Sequence, residues 1–168
     1  IANDLKKAEA YYQEAIRLGV KDPQVHKGLA IAYGLAGKTR ESIATYEKLA
    51  AKNPTAEVLN ILADAYMKEK LYDKGIRVYK KMIEMNPKKA ANYSSVAYAY
   101  GLKGDLDRQI EYYRMSLRFD SEDDEVYASL GAVYEKKGLF SEALKAYTTA
   151  YELNPDAAKV ARKIPQMN

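Results

Sequence analysis

Apolar residues recur along this chain at the three- and four-residue spacing of amphipathic helices. Within residues 92–105, Tyr93, Val96 and Tyr100 fall in one narrow sector, because each residue advances a helix by about 100°. Tyr98 points roughly 200° away from Tyr100 and therefore belongs to a different face. The stretch predicts a helix with a buried stripe and with an exposed aromatic ring on a second face.

The helical pattern repeats with a fixed period. Asn-Pro pairs end at Pro54, Pro87 and Pro155, and these prolines are 33 and 68 residues apart. Since 68 is twice 34, one proline is missing, and its place falls at Ser121. Two series of tyrosines keep the same period: Tyr33, Tyr66, Tyr100 and Tyr134, and then Tyr46, Tyr79, Tyr113 and Tyr147. A period of this length is typical of helical repeat arrays.

Residues 126–155 resemble the tetratricopeptide repeat (TPR), a pair of antiparallel helices. The positions that match the family pattern in order are Tyr127, Leu130, Gly131, Tyr134, Ala143, Tyr147, Ala150 and Pro155. Earlier units depart from it, with Ala30, Ala63 and Ala97 in place of the glycine, Ser42, Gly75 and Gln109 in place of the first small residue, and Leu49 and Met82 in place of the second. The chain is identified as a TPR array of bacterial or archaeal type. The resemblance covers essentially its whole length and implies an all-α fold, an α-solenoid of helix hairpins that forms a right-handed superhelix with a concave groove.

The period predicts one domain, residues 1–168, made of successive units. We expect a half-repeat helix at residues 1–22, four TPR units at residues 23–55, 56–89, 90–123 and 124–157, and a C-terminal capping helix and tail at residues 158–168, with the helix reaching from 157 to 164. Gly37, Gly104 and Gly138 fall at the turns between paired helices, where a left-handed backbone suits glycine. Lys70 occupies the equivalent place in the second unit.

The composition limits the classes of function. The 168 residues are 48% hydrophobic and 30% charged, which is typical of a folded globular protein. The lack of cysteine excludes disulfides and thiolate chemistry. No apolar run approaches the roughly 18 residues of a membrane-spanning helix, so we expect no integral membrane segment. We expect a cytoplasmic protein, with a location peripheral to a membrane or organelle as the alternative. Whether a targeting segment precedes Ile1 is left open.

No constellation of residues predicts an enzyme. The sequence has no Gly-rich phosphate loop, nucleophile–base pair or spaced set of metal ligands, so we expect no catalytic residue, cofactor or metal site. Twelve of the sixteen tyrosines fall where the repeat packs large residues, and His26 holds such a position too. The acidic residues 120–125 lie where a helix starts, which favours helix capping over cation binding.

In TPR proteins the first helix of each unit lines the concave groove, which holds segments of partner proteins. The resemblance therefore implies a protein–protein interaction scaffold that binds a peptide segment of a partner protein. Transferring the register to this chain gives the binding residues Lys27, Ile31, Leu35, Asn60, Asp64, Met67, Ser94, Tyr98, Leu102, Ala128, Ala132 and Glu135. A clamp for a C-terminal carboxylate is not expected, because Ile31 and Ile61 stand where that clamp has asparagine.

Two other functions stay open. Pentatricopeptide arrays, which resemble TPR arrays, read RNA through polar side chains at fixed positions. The corresponding residues here are Ile31, Asp64, Tyr98 and Ala132. They form no basic stripe, so we expect no nucleic-acid partner.

Some bacterial TPR proteins instead self-associate on an organelle, pilus or secretion surface, magnetosome-associated proteins among them. Residues 23–89 carry thirteen lysines and arginines against seven acids, a net charge of +6. Residues 90–157 carry seven against twelve, a net charge of −5. This asymmetry favours a homo-oligomer in which the oppositely charged parts pair.

Overall fold

The computed structural model describes residues 2–156, and the helix expected over residues 157–164 lies outside them. Within that range the chain forms nine α-helices and no strand, which confirms the all-α prediction. The helices are α1 (Ala2–Arg17), α2 (Pro23–Leu35), α3 (Thr39–Lys52), α4 (Ala56–Lys68), α5 (Tyr72–Met85), α6 (Ala90–Lys103), α7 (Leu106–Leu117), α8 (Asp124–Lys136) and α9 (Phe140–Leu153). Each of the four units proposed from the sequence period contains two of them.

The chain divides into two compact units, one up to Val78 and one from Tyr79 onward, so that the boundary falls inside α5. In the first unit α1 packs on α2, α2 on α3, and α3 on α4. In the second unit α6 packs on α7, α7 on α8, and α8 on α9. Each of these packing contacts joins helices that are consecutive in the sequence.

Short polar side chains fix where several helices begin. Asp22, Thr55 and Asp105 each accept a hydrogen bond from a backbone N–H in the first turn of the helix that follows. The Asp123 carboxylate does the same for α8, accepting from the Val126 N–H at 2.9 Å. Within the acidic residues 120–125, Asp123 therefore has the predicted capping role. Among residues 2–156 no cluster of three histidines or carboxylates has a geometry that would hold a metal ion.

The turns inside the hairpins have the predicted left-handed backbone. The φ angles are 74° at Gly37, 87° at Gly104 and 75° at Gly138. Lys70 adopts the same conformation, with φ of 58°, and is the non-glycine residue with positive φ in the described part of the chain. A side chain in this region is strained because its Cβ crowds the following carbonyl oxygen.

Replacing Lys70 with glycine is expected to raise the free energy of unfolding by up to about 1.5 kcal/mol. The left-handed conformation costs an ordinary residue roughly 1–2 kcal/mol, and the greater entropy of glycine in the unfolded chain offsets about 0.4–1 kcal/mol of the relief. Urea denaturation measures the change. Gly104→Lys is the matched control and should shift the unfolding midpoint in the opposite direction; a lower midpoint for Lys70→Gly would contradict the argument.

Aromatic and small residues fill the space between paired helices. All twelve tyrosines predicted to be packed are buried or half-buried, namely Tyr12, Tyr33, Tyr46, Tyr66, Tyr72, Tyr79, Tyr93, Tyr100, Tyr113, Tyr127, Tyr134 and Tyr147. Gly131 in α8 shows how close the helices come. A Cβ placed there would lie 2.8 Å from the ring of Tyr147 in α9. The small side chains therefore set the distance between helices, and the tyrosines fill what remains.

The hydroxyl groups of several of these tyrosines meet polar side chains, which their description as core residues did not anticipate. Gln13 Nε2 donates to the Tyr33 hydroxyl at 2.9 Å, and Arg114 Nε donates to that of Tyr134 at 3.1 Å. Tyr66 instead donates to the Glu47 carboxylate. These partners all lie on the helix that precedes the tyrosine. Each ring is thus apolar at its base and hydrogen-bonded at its tip, which is how buried tyrosines are usually satisfied.

Candidate functional site

The sequence-predicted binding residues lie on the first helices α2, α4, α6 and α8, and we call them the groove-face positions. Seven of them are exposed: Ile31, Leu35, Asn60, Asp64, Tyr98, Leu102 and Ala132. Four are half-buried: Lys27, Ser94, Ala128 and Glu135. One, Met67, is buried. The structure therefore leaves most of the predicted surface accessible to a partner.

Met67 is the residue whose predicted placement is wrong. Its side chain is only 8% exposed. The methyl group occupies the space that a Cβ on Gly75 would need, so Met67 folds into the contact between α4 and α5. The lack of a side chain at Gly75 opens that space, and a long, flexible thioether side chain is well suited to fill it. Met67 is a core residue of the first unit and offers no binding surface.

Three half-buried groove-face residues already have partners within the chain. Lys27 Nζ forms an ion pair with Glu57. Glu135 accepts a hydrogen bond from the Tyr147 hydroxyl at 2.8 Å, and the Ser94 hydroxyl donates to the Ala91 carbonyl at 3.1 Å. A ligand would have to compete with these contacts. These three polar positions are consequently less available to a ligand than the exposed apolar ones.

In the first unit, a cavity of about 550 Å³ opens between α2, α3 and α4. Ile31 and Leu35 form its outer wall, and these two side chains are 43% and 69% exposed. Asp64, Lys68 and Glu69 supply its charged groups. The remaining lining residues are Ala30, Gly34, Thr39, Ser42, Ile43, Tyr46, Ile61 and Ala65. The cavity therefore combines apolar lining residues with charged groups of both signs.

In the second unit, a cavity of about 330 Å³ lies between α6, α7 and α8. Tyr98 and Leu102 line this cavity and are 54% and 40% exposed, and Lys136 is the charged residue among its lining residues. Tyr100, by contrast, is 4% exposed, so the prediction that Tyr98 would be the more exposed of the two is confirmed. The other lining residues are Gly101, Gln109, Tyr113, Ser129, Ala132 and Val133. A mostly apolar surface with few polar groups is typical of a binding site.

The two cavities share one arrangement of residues. Ile31 and Leu35 are four residues apart on α2, and Tyr98 and Leu102 are four residues apart on α6, at the same register 67 residues later. Residues four apart lie on the same face of a helix, so each pair makes one continuous apolar strip. Each unit therefore presents a strip that could pack against apolar side chains of a bound segment.

No helix within residues 2–156 is both long enough and apolar enough to cross a bilayer.

Comparison with known proteins places this chain in a family. Sequence profiles described as tetratricopeptide repeat match residues 27–90, 62–124 and 125–157. A human relative, the protein O-mannosyl-transferase TMTC1, is 22% identical over 162 residues, which is 94% of this chain and 18% of that protein. The chain spans less than a third of the length of the first curated relatives that it matches.

Solved structures with the same fold include those of the proteins MamA and YrrB. The crystal structure of MamA is 25% identical, with a TM-score of 0.75, over 94% of this chain and 92% of that one. YrrB, described as a TPR protein with an unusual peptide-binding site, is 17% identical, with a TM-score of 0.74, over 95% of this chain and 83% of that one. Both share the α-solenoid fold of helix hairpins. The profile matches extend over residues 27–157 and establish that the chain belongs to the tetratricopeptide repeat family, a family of protein–protein interaction scaffolds.

Proposed function

We propose that this protein binds a peptide segment of a partner protein against the groove-face positions, with no catalytic role of its own. The observation that carries the proposal is the exposure of Tyr98. Its ring is 54% exposed beside a cavity, whereas Tyr100, two residues away, is 4% exposed. A large ring in that position has no core to fill. Tyrosine is enriched at the energetic centres of interfaces because it joins a rigid apolar area to a hydroxyl.

The neighbours of Tyr98 extend this surface. Leu102 lies one helical turn further along α6, and Ala132 on α8 lines the same cavity. The small side chain of Ala132 leaves room beside the ring for a ligand side chain. Covering the ring and Leu102 would remove apolar area from water, which favours binding at about 25 cal/mol per Å².

In the first unit Ile31 and Leu35 make the equivalent strip. YrrB supports the proposal only at the level of the fold, since 17% identity carries no residue-level role.

Tyr98→Ala is expected to weaken binding of a groove ligand by about 1 kcal/mol or more, roughly fivefold, while leaving stability nearly unchanged. A peptide selected from a random display library against the whole chain is the probe, and calorimetry gives the Kd of each variant.

Tyr151→Ala is the matched control, because Tyr151 is also an exposed tyrosine, 39% exposed, but lies on the second helix α9. Equal affinity for the original chain and Tyr98→Ala, or an equal loss with the control, would contradict the proposal.

Self-association on an organelle, pilus or secretion surface is the second candidate. Its support is the charge distribution, +6 over residues 23–89 and −5 over residues 90–157. Charges of this kind steer association and are screened beyond roughly 8 Å at physiological salt. RNA binding has no comparable support, because the exposed groove-face residues are mainly apolar.

A further inference from the structure

A second cavity lies in the first unit, where the end of α1, the start of α2 and the end of α3 meet, and we call it the edge cavity. Its volume is about 320 Å³. The lining residues are Ile16, Gly19, Val20, Lys21, Pro23, His26, Leu49, Lys52 and Asn53. None of them is a groove-face position. The edge cavity is therefore a separate feature of the molecule, and binding on the groove face does not account for it.

The edge cavity has apolar walls and a basic rim. Apolar side chains of α1, α3 and the intervening loop make the walls, while Lys21, Lys52 and His26 bring nitrogen-bearing groups. No carboxylate is among the lining residues. The nearest acid in sequence, Asp22, uses its side chain to cap α2 by accepting from the Gln24 N–H at 2.9 Å. The site thus combines apolar area with an excess of positive charge.

The second unit carries an aromatic pair at the register positions of two residues that line the edge cavity. Tyr93 and Phe119, which hold the sequence register of His26 and Lys52 two repeats later, stack with ring centroids 5.1 Å apart, although Phe119 lies in the turn after α7 and is 47% exposed, whereas Lys52 ends α3. The Tyr93 hydroxyl donates to the Pro87 carbonyl at 2.8 Å, which holds the ring in place. The first unit has His26 and Lys52 at these positions instead, and both of them line the edge cavity.

The replacement is particular to the first repeat. The corresponding pairs in the second and fourth repeats are Leu59 with Met85 and Tyr127 with Leu153. Three repeats therefore place aliphatic or aromatic side chains at both positions, and the first repeat places an imidazole and a lysine there. Loss of apolar packing together with gain of positive charge is the change expected where a ligand supplies the missing apolar group and a negative charge.

We propose that the edge cavity binds a segment of a partner protein that inserts an aromatic side chain and places a carboxylate side chain next to it. The inserted ring would lie against the apolar walls, near the imidazole of His26, as Phe119 lies against Tyr93. The neighbouring carboxylate would pair with Lys52 or Lys21 at the rim. A volume of about 320 Å³ is at the small end of ligand pockets, which suits one aromatic side chain and not a whole folded surface.

A short peptide tests this recognition directly. The probe is an acetylated and amidated hexapeptide, Gly-Ser-Phe-Asp-Ser-Gly, titrated into the full chain and followed by NMR chemical shifts at residues that line the edge cavity. We expect the probe to bind with a Kd of about 1 mM or lower. The Kd should be at least about fivefold higher when the peptide's phenylalanine is replaced by alanine or its aspartate by asparagine. Equal binding of the three peptides, or none at about 1 mM, would overturn the proposal.

Two variants of the protein separate this site from a general basic surface. The double variant His26→Tyr, Lys52→Phe places two larger aromatic side chains at the lining of the cavity and should fill it, so the Kd for the probe should rise at least about tenfold. Its unfolding midpoint should not fall, and the groove ligand that depends on Tyr98 should bind as before. Undiminished binding of the probe to this folded double variant would refute the site.

Lys52→Gln provides a second measurement if the double variant does not fold. Lys48 is the matched control, because it lies on α3 four residues earlier, is exposed and does not line the cavity. We expect Lys52→Gln to raise the Kd for the probe by about threefold or more, and Lys48→Gln to leave that Kd unchanged. An equal effect of the two changes would mean that only overall charge attracts the probe, and would exclude the proposed site.

Discussion

Replacing Tyr100 with alanine is expected to lower the free energy of unfolding by about 3–5 kcal/mol, the range seen when large buried aromatic rings are truncated. The ring is 4% exposed and stacks on Tyr112 with centroids 5.5 Å apart. Lys80 Nζ lies 5.7 Å from its centroid, and the Arg108 guanidinium carbon lies 5.3 Å from it. The substitution removes packing and two cation–π contacts at once, and it leaves a cavity inside the second unit.

Tyr98→Ala is the control for this prediction, because it deletes the same side chain from the same helix. Exposed positions rarely change stability by more than about 0.5 kcal/mol. Urea denaturation followed by far-ultraviolet circular dichroism measures both variants. Similar losses for Tyr98→Ala and Tyr100→Ala would show that the two rings have equivalent surroundings, contrary to the structure.

Raising the pH above about 10 is expected to destabilise the protein through Tyr66 and Tyr147. Burial, followed by the hydrogen bonds that these phenols donate to Glu47 and Glu135, raises the pKa of both tyrosines above the ordinary value. The folded chain therefore retains two protons that the unfolded chain releases. Above a pH of about 10, the free energy of unfolding should fall by up to about 1.4 kcal/mol per pH unit for each tyrosine. Below a pH of about 10, the stabilising contribution of both tyrosines is fully present.

The double variant Tyr66→Phe, Tyr147→Phe isolates this effect. Phenylalanine keeps the packed ring and has no proton to lose, so stability should decline less steeply with pH in the variant. Tyr46, whose pKa burial also raises, contributes equally to both proteins. Urea unfolding between pH 8 and pH of about 11 gives the two slopes. Parallel slopes would mean that neither phenol is held in its neutral form by the fold.

The sequence period predicted the helices, their turns and the buried faces, because each of these depends on residues close together in the chain. The left-handed turns at Gly37 and Gly104 follow from the place of glycine between paired helices, and the outward direction of Tyr98 follows from helix geometry. Met67 was misplaced for the opposite reason. Its burial depends on the space that Gly75 leaves open on the next helix, α5. The position of Met67 along α4 gives no information about that space.

The hydrogen bonds of the tyrosine hydroxyls also could not be predicted from the sequence period. The partners of the Tyr66 and Tyr134 hydroxyls, Glu47 and Arg114, hold the same register on the preceding helices but carry opposite charges. Periodicity identifies which rings are buried, and only the packed helices show what their hydroxyls meet. A signal for the edge cavity was nevertheless present in the sequence, since His26 and Lys52 break two otherwise apolar series of residues.

Within each of the two units, helices that are consecutive in the sequence pack on each other, and this also bears on how the chain folds. A contact between consecutive helices closes only a short loop, so little chain entropy is lost before the contact forms. Proteins built from such short-range contacts reach the native state quickly, and repeat arrays can nucleate at any hairpin and grow from it. By the same logic, one weakened hairpin can open and close while its neighbours stay folded, which gives the chain local dynamics that a globular core of interleaved segments would suppress.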